Sequence, residues 1–246
     1  MPAELVTIRC LTDNYAYLVH AGGRTALVDA PEAGPVLAEL DRRGWRLDMI
    51  LLTHHHDDHI QAVPEIVAAT GAQVWGNAAD AQRLPPLDRA LRTGETAEVC
   101  GERVEVIDVP GHTVGHVAYH LPESKLVFTA DSLMAMGCGR LFEGTAAQMW
   151  DSLSRVAALP GDTLVCSGHD YCRSNGAFAL SVDPDNASLR ARLDAVTAGR
   201  QPCSPATLAE ERATNPFLRA PDLARPDEGA LAAFARLRAA KDAFRG

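Results

Sequence analysis

Apolar positions between residues 1 and 131 recur in short runs, at 5–9, 15–20, 25–28, 49–53, 73–75, 104–109, 116–121 and 126–129, each bounded by Gly, Asp or Pro signals. Runs of that length and punctuation predict β-strands. At 36–43 and 63–70, and again at 146–158, the spacing changes to the i, i+3, i+4 recurrence of amphipathic helices, and 163–166 reads once more as a strand. Mixed strand and helix order predicts a layered α/β body. Beyond about residue 172 helical patterns take over, at 177–182, 188–198, 208–212 and 229–244, separated by Pro184, Pro202, Pro205, Pro216, Pro221 and Pro226. Two parts are therefore expected, an α/β domain at residues 1–172 and a helical subdomain at 173–246.

One run is unlike the others. Met49-Ile50-Leu51-Leu52 is uniformly apolar, as in a strand buried on both faces, and it leads straight into Thr53-His54-His55-His56-Asp57-Asp58-His59. Four of the chain's nine histidines lie in that segment. Imidazole and carboxylate together form a ligand set for zinc, iron or manganese. Three further segments place a ligand-type residue just after an apolar run: Pro110-Gly111-His112-Thr113-Val114-Gly115-His116, Thr129-Ala130-Asp131-Ser132 and Ser167-Gly168-His169-Asp170. Strand ends thus converge on one edge of a sheet, and Asp29 and His116 are candidates for orienting the ligand imidazoles.

Composition narrows the possibilities without adding chemistry. With 47% hydrophobic and 22% charged residues, the chain has the make-up of a folded globular protein. A formal charge of -9 argues against a sequence-independent grip on nucleic acid or anionic membrane, so neither is expected as a partner. No segment approaches the roughly 18 apolar residues of a membrane span, and the first residues lack the pattern of a secretory leader, so a cytoplasmic monomer is the expectation. Six cysteines without a Cys-x-x-Cys pair read as reduced, mostly buried thiols.

The ordered set His-x-His-x-Asp-His, His, Asp, His resembles the metallo-β-lactamase superfamily, and this implies a four-layer αββα sandwich with a C-terminal helical subdomain. Within it, Leu11-Thr12-Asp13-Asn14-Tyr15-Ala16-Tyr17-Leu18, Phe128 to Thr145 and Asn215-Pro216-Phe217-Leu218-Arg219 are similar to segments of the hydroxyacylglutathione hydrolases, or glyoxalase II enzymes. The resemblance implies two divalent metal ions, zinc foremost, with iron or manganese as alternatives. His54, His56 and His112 would hold one, Asp58, His59 and His169 the other, and Asp131 would bridge them, while His55 and Asp57 stay off the metals as loop residues. A hydroxide between the metals would attack the carbonyl of S-D-lactoylglutathione, with Asp58 and Asp131 as the catalytic carboxylates. Arg140, Phe142, Tyr171, Arg238 and Lys241 match positions that contact the glutathione moiety, although Phe142 stands where many members carry tyrosine. A persulfide dioxygenase with one iron, a lactonase and a non-catalytic metal-binding protein are the alternatives to hydrolysis of a glutathione thioester.

Overall fold

The structure is a computed structural model and describes residues 2–245. The chain divides into two compact units, the first running to Asp108 and resuming at Gly115–Thr129, the second comprising Val109–Val114 and everything from Ala130.

In the first unit, β1 (Glu4–Cys10), β2 (Asn14–Ala21) and β3 (Arg24–Val28) form an antiparallel meander. Helix α1 (Ala33–Arg43) then crosses to β4 (Met49–Leu51), which pairs parallel to β3. The short α2 (Asp57–Ile60) and α3 (Val63–Thr70) lead to β5 (Gln73–Asn77), and a 3-10 turn at Ala78–Asp80 precedes β6 (Arg89–Leu91). One sheet results, in the order β1-β2-β3-β4-β5-β6. Its central β4 is buried at every position, as the continuous apolar run required. Val36 and Leu40 of α1 and Val63 and Ile66 of α3 pack with Leu18, Leu27, Ile50 and Val74 in one apolar cluster. The helices end at Gly44 and Gly71 in left-handed caps.

Four further strands in this unit, β7 (Thr96–Val99), β8 (Glu102–Asp108), β9 (Val117–Leu121) and β10 (Leu126–Ala130), pair antiparallel in sequence order. They face the first sheet through a Tyr17–Phe128 ring contact with centroids 5.6 Å apart. The Tyr119 hydroxyl donates across the same interface to the Leu52 carbonyl at 2.7 Å. That bond fixes the chain where β4 gives way to the histidine-rich segment.

In the second unit, β11 (Leu133–Met134) and β12 (Gly137–Cys138) make a two-residue hairpin. Helix α4 (Ala146–Ala157) opens with a capping box between Thr145 and Gln148 and is followed by β13 (Leu164–Ser167). After α5 (Cys172–Val182) and α6 (Ala187–Thr197) come β14 (Ala206–Thr207), α7 (Leu208–Thr214) and α8 (Ala230–Ala243). Side chains of Asn186 and Thr207 cap α6 and α7. The aromatic rings of Trp150, Phe234, Phe217 and Phe178 pack in succession between these helices. Among the described residues, no helix is long and apolar enough to cross a membrane.

The expectation of six reduced thiols needs correcting. Cys172 and Cys203 form a disulfide, with Cα atoms 5.8 Å apart although 31 residues separate them in sequence. The other four cysteines lie outside any disulfide and are buried. Burial pushes the Cys10 thiol up to about 12 and the Cys100 thiol up to about 11, and raises those of Cys138 and Cys166 as well.

Two measurements check this description. A thiol reagent at pH 8 should label no cysteine in the native protein, four after denaturation and six after denaturation with reductant; six without reductant would contradict the disulfide. Tyr119→Phe should cost about 1–3 kcal/mol in urea unfolding, because the buried Leu52 carbonyl loses its hydroxyl donor.

Candidate metal centre

In the first unit the histidine-rich segment is held by a carboxylate outside it. Asp29 directly follows β3 and sits in the left-handed region at φ 57°, where few non-glycine residues are found. Its Oδ1 accepts from the Thr53 backbone N–H at 2.9 Å, and its Oδ2 accepts from the Thr53 hydroxyl and from His59 Nδ1, each at 2.8 Å. The Thr53 oxygen, its proton committed to Asp29, accepts from His54 Nδ1 at 3.0 Å. With both Nδ1 atoms protonated, His54 and His59 carry their lone pairs on Nε2. Fixing the tautomer through an outer carboxylate is a common device around metal-ligating imidazoles.

The other members of the segment fall in place around these two fully buried rings. His54 Nε2 lies 3.2 Å from His56 Nδ1, and His59 Nε2 lies 3.8 Å from Asp58 Oδ2. Buried Asn14 donates to the Asp58 side chain and to its backbone carbonyl, both at 3.0 Å. His55 is drawn instead to buried Asp80, 3.1 Å away, which also binds Arg83. Asp57 is exposed and is the first residue of α2, so this end of the segment is a helical turn and not the loop expected from sequence. His116 stacks on His54 with centroids 4.6 Å apart.

In the second unit two imidazole nitrogens converge on one carboxylate oxygen. His112 Nε2 and His169 Nε2 lie 3.4 and 3.3 Å from Asp131 Oδ2. The Arg140 carbonyl accepts from His112 Nδ1 at 2.9 Å, so in the neutral ring the Nε2 lone pair faces the carboxylate oxygen. A cation between two such lone pairs relieves their repulsion. Tetrahedral ligands about 2.0–2.1 Å from a zinc ion are roughly 3.3 Å from each other, so these separations suit such an ion. Ala130, at φ 39°, turns the chain into Asp131, and its carbonyl is secured by the Gly168 N–H at 3.0 Å. Gly139 admits no side chain: a Cβ there would sit 2.0 Å from the Asp131 carbonyl and 3.0 Å from His112 Nδ1.

The predicted substrate residues lie in this second unit. Phe142 is exposed and its ring is 5.2 Å from that of His112; Tyr171 stacks on His169 at 4.7 Å. Arg140 has an exposed side chain whose Nε is 4.0 Å from Asp242. Arg238 is buried, donating to the Cys138 carbonyl at 2.7 Å and to Asp242 at 2.9 Å, with its guanidinium over the Phe217 ring. Lys241 donates to the Ser174 carbonyl at 2.9 Å. Burial, then the neighbouring Arg238 and Arg140 charges, hold the Lys241 ammonium below the usual lysine range.

Comparison with known proteins defines the class first. Residues 11–169 match the metallo-beta-lactamase superfamily, and the fold expected from the ligand pattern, with its C-terminal helical region, is the one found. A crystal structure titled ETHE1 from Myxococcus xanthus is 26% identical with a TM-score of 0.69, covering 97% of this chain and 90% of that one. Another, titled TTHA1623 in a di-iron-bound form, is 28% identical with a TM-score of 0.65, covering 87% of this chain and 100% of that one. The fold and the His/Asp donors are those of a hydrolase dependent on divalent metal ions.

Residues 170–244 match the hydroxyacylglutathione hydrolase C-terminus. The hydroxyacylglutathione hydrolase of Fuscovulum blasticum is 59% identical and that of Ruegeria pomeroyi 56%, each alignment covering 99% of this chain and 100% of the relative. The chain belongs to the hydroxyacylglutathione hydrolases, enzymes that cleave the thioester of a hydroxyacylglutathione.

Sequence reasoning missed the parts played by Thr53, Asn14, Asp80 and the Arg140 carbonyl, none of which has a ligand-type side chain in the expected pattern apart from Asp80. Asp29→Ala would strand the Thr53 N–H, the Thr53 hydroxyl and His59 Nδ1 together. The expected result is a loss of about 1–3 kcal/mol in stability and roughly 10–100-fold in metal affinity by chelator competition; an unchanged affinity would refute the orienting role.

Proposed function

We propose that His54, His56 and His112 hold one divalent ion, that Asp58, His59 and His169 hold a second, and that Asp131 contacts both. The observation carrying this reading is that the Nδ1 atoms of His54, His59 and His112 are each engaged by an oxygen acceptor, which in the neutral rings makes Nε2 the ligating atom. Zinc suits the nitrogen and carboxylate donors, and iron or manganese would also be accepted. When bound, such ions polarise the thioester carbonyl and make an activated water available at neutral pH.

The chain's own residues do the rest. Asp58, restrained by Asn14, directs the attacking water, whose oxygen bonds to the carbonyl carbon while the carbon–sulfur bond breaks. A thiolate leaves, and because a thiol has a pKa near 8.5 it departs without a general acid. The substrate is S-D-lactoylglutathione or a related 2-hydroxyacyl thioester, and the reaction yields D-lactate and glutathione as the second step of methylglyoxal detoxification in the cytoplasm. Tyr171 and Phe142, placed beside His169 and His112, border the thioester, and residues 173–246 supply the substrate-binding subdomain. Arg238 and Arg140 lie close enough to Lys241 to add to the effect of burial on its ammonium, a concentration of positive charge suited to the glycine carboxylate of glutathione. Phe142 cannot give the hydroxyl contact that tyrosine would.

Loss of thioester absorbance with S-D-lactoylglutathione tests the assignment. Asp131→Ala should abolish turnover and lower metal content, whereas Lys241→Ala should raise KM roughly 10-fold or more with kcat nearly unchanged, the loss of one charge-assisted hydrogen bond. In the wild type, KM should climb at alkaline pH below the range of an ordinary lysine, since the lowered Lys241 loses its proton, and with it the carboxylate grip, early. A KM unaffected by Lys241→Ala would remove this residue from the substrate site.

A further inference from the structure

The hairpin of β11 and β12 links two groups of the site, since Asp131 precedes it and Arg140, whose carbonyl binds His112, follows it. Strands of two residues cannot hold their own shape, and Met136 at the turn occupies the left-handed region at φ 53°. What holds the turn comes from two helices. Asn175 of α5 donates to the Ala135 carbonyl at 3.1 Å. Glu211 of α7 accepts from the Met136 N–H at 3.0 Å. Asn215, just after α7, donates to the Met134 carbonyl at 3.0 Å and to the Gly137 carbonyl at 2.9 Å. Four consecutive residues of the turn thus have their outward backbone groups taken up by side chains.

These side chains are themselves held. The second carboxylate oxygen of Glu211 pairs with buried Arg192 of α6, which also donates to Thr214 at 2.7 Å. Asn215 bonds Glu211 at 3.0 Å, and its side-chain oxygen accepts from the Phe217 N–H at 3.1 Å. Burying an ion pair costs desolvation that apolar residues of equal volume would avoid, so such a network is poorly explained by stability alone. Every group it satisfies on the hairpin is backbone that leads to Asp131 or Arg140.

We infer that Asn175, Glu211 and Asn215 are positioning residues, which fix the β11–β12 hairpin so that the Asp131 carboxylate and the Arg140 carbonyl meet His112 and His169 at metal-binding geometry. Arg238 reinforces the far end of the same hairpin through the Cys138 carbonyl. Each acts through the hairpin backbone at Met134–Gly137. The inference rests on the reading of Asp131 as a metal ligand.

The test compares the purified full chain with Asn175→Ala, Glu211→Gln, Asp131→Ala and a control, Asn186→Ala, which removes the α6 cap and a bond to the Ala213 carbonyl but no bond to the hairpin. Zinc affinity is read by chelator competition, together with thermal midpoint, kcat and KM for S-D-lactoylglutathione. Asn175→Ala is expected to bind zinc 10–100-fold more weakly, with kcat at least 10-fold lower and KM within twofold of wild type, while Asn186→Ala loses comparable stability yet keeps zinc affinity and kcat. If Glu211→Gln does not fold, Asn175→Ala, which loses only one hydrogen bond to the turn, decides. Zinc affinity and kcat in Asn175→Ala equal to those of Asn186→Ala would overturn the inference. An Asp131→Ala variant that retains full zinc affinity would instead overturn the ligand assignment beneath it.

Discussion

The Asp29 carboxylate is the constraint on which the first half of the donor set depends. A single buried anion receives an N–H, a hydroxyl and an imidazole N–H, and through the hydroxyl it governs a second imidazole. Each of these bonds fixes where a proton resides, so the carboxylate determines chemistry as well as position. The strained backbone at Asp29 is the cost of aiming it, and a strain of this kind persists only when its surroundings over-determine it. Here the surroundings are the parallel strands β3 and β4, whose pairing brings the Asp29 N–H to the Leu51 carbonyl at 3.0 Å.

The second unit solves the same problem with different means. His112 has its proton fixed by a backbone carbonyl instead of a carboxylate, and the carbonyl is trustworthy only if the hairpin before it is rigid. A short hairpin offers little internal rigidity, so the polar side chains of α5 and α7 provide it. The helical region therefore has a part in the geometry around Asp131 and His112. Gly139 records how closely the pieces fit, since no atom larger than hydrogen is tolerated between Asp131 and His112.

Much of this was legible in the sequence, for reasons that differ by element. The uniform apolarity of Met49–Leu51 identified a strand buried on both faces, and the density of ligand-type residues after it identified the chemistry. The start of α5 was not legible: Cys172 to Gly176 lacks an apolar stripe, and the glycine is tolerated because Leu193 packs where its Cβ would be, 2.5 Å from the nearest side-chain atom. Strands of two residues, as in β11, β12 and β14, are too short to show a period. The ligand roles followed from resemblance to a family, whereas the roles of Thr53 and Asn14 depend on distances that no linear pattern contains. Arg238 carried a similar surprise, because its match to a family position said nothing of the burial that ties it to Cys138.

The Cys172–Cys203 bond has a consequence that lies in the unfolded chain. Closing a loop across 31 residues removes conformational freedom from the denatured ensemble, worth about 3–4 kcal/mol on a chain-entropy account. That is a substantial fraction of a typical domain's net stability. The same native contacts would thus confer two different melting temperatures, according to whether the surrounding thiol pool leaves the link intact. An enzyme that releases a thiol at every turnover contributes, however slightly, to the medium that sets its own durability.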